Sequence, residues 1–111
     1  MGQPLHEAKA ELFRNLGHPV RVRALELLLE GPRPVHELLT EIDVEPSNLS
    51  QQLAVLRRAG LVNSRREGST VLYTLSSPEV AEMMDAARAV LTNVISGQQS
   101  LLAELASEAG S

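Results

Sequence analysis

Ser47, Asn48, Ser50 and Gln51 stand together in one short stretch and carry hydroxyl and amide groups but no charge. Such groups both donate and accept hydrogen bonds. The amides of Asn and Gln also match the N6/N7 edge of adenine in a DNA major groove. Arg57 and Arg58 follow, and then Arg65 and Arg66 beside a Glu67-Gly68-Ser69 turn. A guanidinium is suited to phosphate oxygens. Residues 46–75 therefore offer base-edge readers first and phosphate neutralisers second. We expect Ser47, Asn48, Ser50 and Gln51 to read bases, and Gln52, Arg57, Arg58, Arg65, Arg66 and Ser69 to hold the backbone.

The formal net charge of −4 argues against a nucleic-acid partner until its distribution is read. Residues 46–75 hold four Arg against Glu67 alone, whereas the segments on either side are acidic. A local basic patch, not the total, decides phosphate contact. One Tyr, one Phe and no Trp leave little for stacking on unpaired bases, which points to duplex DNA.

Other chemistries find little support. Without cysteine there is no disulfide, thiolate metal site or thiol switch. Neither a glycine-rich phosphate loop nor a zinc-protease or nucleophile-elbow motif is present. The pairs Glu7/Glu11 and Glu26/Glu30 read as solvated helix faces, and Met83-Met84 as core or seam. We expect no enzyme. No apolar run reaches the roughly 20 residues of a membrane span. The first residues lack a signal-peptide pattern, so a cytoplasmic protein is expected.

The elements that must position these groups follow from periodicity. Residues 5–16 read as a first helix, ended by Gly17, with Leu5, Ala8 and Leu12 at helical spacing. Pro19 opens a second helix at the position where proline is tolerated, and Val20, Ala24, Leu25 and Leu28 form its inner face. A third helix is predicted from about Pro34 to Glu41. A fourth begins at Pro46 and stops at Gly60, with Leu49, Leu53 and Leu56 as its inner stripe. Ser47, Gln51, Ala54 and Arg58 fall opposite, with Asn48 at the margin. Strands are predicted over 61–66 and 70–75. Pro78 starts a long last helix with Gly97 as a break or bend, and residues 107–111 are expected to fray. Its stripe of Val80, Met83, Met84, Ala87, Leu91, Val94 and Ile95 continues through Leu101, Leu102 and Leu105. Such a stripe needs a cover, either the first helix of the same chain or the first and last helices of a second copy. We expect the second, with Leu5, Leu12, Met84, Ala87, Leu91, Val94 and Ile95 at the interface.

This order of elements resembles the ArsR/SmtB family of bacterial winged-helix regulators. The resemblance rests on Leu16-Gly-His-Pro-Val-Arg-Val-Arg-Ala-Leu25, on Glu37-Leu-Leu, on the run from Ser47 to Val62, and on Arg65-Arg-Glu-Gly68 with Tyr73-Thr-Leu75. It covers about residues 8–95. It implies a mainly α fold with a small β-hairpin wing, a winged helix-turn-helix that dimerises through its first and last helices. Residues 1–111 would form a single such domain. The implied function is a homodimeric, sequence-specific transcriptional regulator that binds double-stranded operator DNA. The alternative is a winged helix that acts through a partner protein, and such an accessory protein is retained as a further partner.

The family's usual metal sensors do not carry over. The third-helix thiolate site would need Cys in a stretch that reads Val35-His-Glu-Leu-Leu-Thr-Glu-Ile, and of the last-helix site only Asp85 remains. His18 reads as a helix-start residue and His36 as a solvated one. His6 lies near a chain end that the resemblance brings toward the partner's last helix. No cofactor is required. A nickel or zinc effector bound by His6, Glu82 and Asp85 is the metal expectation, since imidazole and carboxylates suit those ions.

Overall fold

The computed structural model describes residues 2–109. Helices α1 (Leu5–Leu16) and α2 (Pro19–Leu28) lead into a two-residue strand β1 (Arg33–Pro34) and helix α3 (Val35–Glu41). Helix α4 (Pro46–Arg58), strands β2 (Val62–Glu67) and β3 (Thr70–Leu75), and helix α5 (Pro78–Ala109) complete the chain. Two compact units are present, one within residues 2–81 and the other within 82–109.

The first unit is built around leucine. Leu25, Leu38, Leu49, Leu53, Leu56 and Val62 are its largest fully buried side chains. Each such burial contributes roughly 1.5–3 kcal/mol. The inner stripe expected for α4 is the one observed. Helix α2 buries Ala24, Leu25, Leu27 and Leu28, while α1 buries no residue completely. His18 caps α2 as expected, its Nδ1 accepting from the Val20 amide at 3.2 Å.

The sheet is antiparallel in the order β1-β3-β2, so β3 is central. Strand β1 departs from expectation. Arg33 and Pro34 pair with Tyr73 and Leu72 across β3, and α3 begins one residue later than predicted. The strand lies at the sheet's edge, where the missing N–H of proline is tolerated. Strand β2 is displaced by one residue from the expected 61–66, because Leu61 belongs to the end of α4. Its N–H bonds Leu56 O, and that of Gly60 bonds Arg57 O, each at 3.0 Å. With Gly60 at φ +79 this is a Schellman ending. Gly68, at φ +63, opens the two-residue β2–β3 turn, as a type II′ hairpin requires.

Helix α5 runs unbroken through Gly97. A single glycine costs about 1 kcal/mol relative to alanine, too little to break a helix among Gln, Leu, Ala and Glu. The expected fraying is also corrected in part: Ser107 to Ala109 are helical, while residues 110 and 111 lie outside the described ones.

Candidate nucleic-acid interface

Helix α4 is held at both ends by backbone devices. Pro46 occupies its first turn, after an extended Glu45 that provides no side-chain cap. The Schellman ending then turns the chain directly into β2. With Leu49, Leu53 and Leu56 buried, the helix has one fixed orientation about its axis. Ser47, Ser50 and Gln51 are exposed in its first two turns, and Asn48 is half-buried. Arg57 and Arg58 are exposed in the last turn, where cations oppose the helix dipole favourably.

The flank of α4 that carries Gln52, Val55 and Ala59 faces α1 and α2, with Asn48 at its margin. Val55, Arg58 and Ala59 line one side of a groove of about 480 Å³, and Ala8, Glu11, Leu12 and Asn15 of α1 line the other. Arg58 thus lines this groove across from α1, where Glu11 pairs with Arg14 of its own helix.

Gln52 departs from expectation. It was expected on the DNA backbone but is only 9% exposed. Its Oε1 accepts from Arg21 Nε at 2.8 Å, and its Nε2 donates to Asn48 Oδ1 at 3.0 Å. Arg21 also donates through Nη1 to the Asn15 carbonyl at 3.3 Å. Both ends of the Gln52 amide are thus engaged within the protein, and the side chain is turned away from the surface expected for it. The helical step of 100° per residue holds the signal, since Gln52 falls about 60° from Leu49, on the inner side. Arg21 and Asn15, which complete this chain of bonds, carry no sequence signal of their own.

On the hairpin, Arg65, Arg66 and Ser69 are exposed. Consecutive strand residues project to opposite faces, so Arg65 and Arg66 do not share a surface. Arg65 shares its face with Glu67, and its Nε lies 3.1 Å from Glu67 Oε1. Arg66 has no carboxylate partner among the described residues.

The residues expected at a dimer interface are largely open to solvent in the single chain. Leu5 is 70% exposed and Leu91 58%, with Val94 and Ile95 near one half. Ala87 is exposed, and Leu12 and Met84 are half-buried. Phe13, Val90, Leu101, Leu102 and Leu105 add further exposed apolar surface. His6 is exposed in the first turn of α1, and Glu82 and Asp85 are exposed on α5. Among the described residues, no three His, Cys, Asp or Glu side chains of one chain are grouped to hold a metal ion. No described helix is long and apolar enough to cross a membrane.

Comparison with known proteins gives a consistent answer. The sequence profile of bacterial regulatory proteins of the arsR family matches residues 18–64. An uncharacterized HTH-type transcriptional regulator of Mycobacterium tuberculosis, Rv0081, is 49% identical over 104 residues, which cover 93% of this chain and 91% of the relative. Its crystal structure superposes with a TM-score of 0.81 at 50% identity, covering 87% of this chain and 98% of that one. The transcriptional activator HlyU of Vibrio cholerae is 45% identical over 74 residues, 67% of this chain and 68% of its own. A homodimeric winged helix-turn-helix DNA-binding domain from Mycobacterium bovis, solved in solution, matches with a TM-score of 0.72 at 28% identity. That match covers 83% of this chain and 90% of the other.

Proposed function

Because the chain belongs to the arsR family of bacterial regulatory proteins and is a transcriptional regulator with a DNA-binding winged helix-turn-helix, we propose that it binds operator DNA as a homodimer. In this reading each chain lays α4 in a major groove and sets the β2–β3 hairpin on the adjoining backbone. The carrying observation is the outer face of α4. It exposes Ser47, Ser50 and Gln51 without an acidic side chain among them, directly before a hairpin bearing Arg65 and Arg66. Hydroxyl and amide groups discriminate base edges, and the arginines neutralise phosphates.

Dimerisation is supported by the apolar side chains left exposed along α5 and on α1. Two copies related by a two-fold axis would read an inverted repeat, with half-sites about one helical turn or a multiple of it apart. The test is selection from a random-sequence duplex library by the full chain, followed by titration of the enriched duplex. Enrichment of an inverted repeat bound by two chains supports the reading. Equal recovery of all sequences would contradict it.

A metal effector has no support within one chain, since its three expected ligands are not grouped there. A nickel or zinc site from His6 of one chain with Glu82 and Asp85 of a second would exist only in the dimer. Calorimetry of the parent and His6→Ala with Ni²⁺ and Zn²⁺ tests it. Loss of binding in the variant supports the site, and identical titrations remove His6 from it.

A further inference from the structure

The hydrogen bonds that withdraw Gln52 from the surface also determine how its neighbour faces outward. We propose that Arg21 and Gln52 orient the amide of Asn48 so that it turns its NH₂ donors, rather than its oxygen, toward DNA. This rests on the reading of α4 as the base-reading helix.

The argument starts from a group with only one possible polarity. A guanidinium donates hydrogen bonds and never accepts them. Arg21 Nε, 2.8 Å from Gln52, must therefore meet the amide oxygen of Gln52. Its Nη1 is directed to the Asn15 carbonyl, which anchors the guanidinium to the end of α1. With its oxygen so engaged, Gln52 can offer only its NH₂ to Asn48, and Asn48 must receive it on Oδ1, at 3.0 Å. The Asn48 Nδ2 group is then turned away from the relay, and it has no acceptor among the described residues. Gln52 is buried, and exchanging its O and N would place a donor against the guanidinium, so the relay has one sense only.

That sense has a consequence for sequence. To pair bidentately with adenine, Asn must bring both its oxygen and its NH₂ to the base edge. Here the oxygen is turned toward the buried Gln52, which takes one of its two lone pairs, so the NH₂ is the half of the amide that the relay turns outward. Its NH₂ suits the edge richest in acceptors, guanine O6 and N7. Gln51, exposed and outside the relay, keeps both halves of its amide for the groove. Arg21 and Gln52 are positioning residues: they touch no base, yet they select which bases Asn48 accepts.

The substitution that tests this reverses the relay. In Gln52→Glu both terminal oxygens accept, one from Arg21 and the other from Asn48 Nδ2. Asn48 must then turn its oxygen outward, toward donors such as cytosine N4 or adenine N6. The full-length parent, Asn48→Ala and Gln52→Glu are each used to select from a random-sequence duplex library. Thermal melting verifies that each is folded. Asn48→Ala identifies the position that Asn48 reads, by flattening it. At that position the parent is expected to favour guanine by roughly tenfold, and Gln52→Glu to favour cytosine or adenine. If Gln52→Glu keeps the parent's guanine there, the relay does not set specificity, although α4 still reads bases. If Asn48→Ala flattens no position, Asn48 reads no base, and the proposal falls with that part of the parent reading. Should Gln52→Glu not fold, Gln52→Met frees the amide to rotate. The position is then expected to lose its preference while remaining occupied, and an unchanged preference overturns the proposal.

Discussion

Arg65 and Arg66 are adjacent in sequence but face different surroundings. Arg65 is tied to Glu67 on one face of the hairpin, while Arg66 projects from the other with no carboxylate partner among the described residues. An exposed pair of this kind contributes only about 0–1 kcal/mol to stability, but it offsets charge that would otherwise meet phosphate. Arg66→Ala is therefore expected to lower the log–log salt slope of DNA binding by about 0.9, and Arg65→Ala by less. Titrations across a salt series measure both, and equal changes would show that Glu67 does not matter. In the core, Leu53 is fully buried, so Leu53→Ala should cost about 2–5 kcal/mol in denaturant unfolding. The sequence was legible for such residues, because Leu49, Leu53 and Leu56 repeat at the helical period. It misled at Gln52, whose polarity suggested the surface although its angular position placed it inside. What holds Gln52 there is Arg21, on another helix and 31 residues away, and no local pattern contains that contact.

Among the elements, α4 was the most legible, since Pro46, the leucine stripe and Gly60 mark its start, inner face and end. Strand β1 was not, because a two-residue strand containing proline shows no alternation and exists only by pairing with β3. The junction from α4 into β2 has its own test. Gly60 adopts φ +79, and a Cβ added there would meet nothing within 4 Å, so Gly60→Ala meets backbone strain rather than a clash. The expected loss is about 1–2 kcal/mol in unfolding free energy, and no loss would contradict the left-handed ending. Gly97 is the opposite case, helical and with open space around it. Gly97→Ala should raise stability by up to about 1 kcal/mol and increase helicity by circular dichroism. A fall in helicity would mean that α5 is bent there after all.

At the scale of the whole molecule, an acidic chain concentrates four Arg and one Glu in residues 46–75 and leaves much of α5's apolar surface in solvent. The first property supports DNA as the partner and the second supports another copy of the chain. Leu91 is 58% exposed in one chain, so Leu91→Asp should leave the fold of each chain intact and act only on assembly, where an unpaired charge in an apolar seam is strongly disfavoured. Sedimentation should find a folded monomer with weakened operator binding, and a stable L91D dimer would remove α5 from the interface. The central claim, that the outer face of α4 reads base pairs, is tested most directly at Gln51, which is exposed and free of the relay. Parent and Gln51→Ala are titrated with the duplex selected by the parent and with a scrambled duplex of equal length. The expected result is a loss of about 1–3 kcal/mol on the selected duplex with little change on the scrambled one, whereas equal losses on both would contradict the claim.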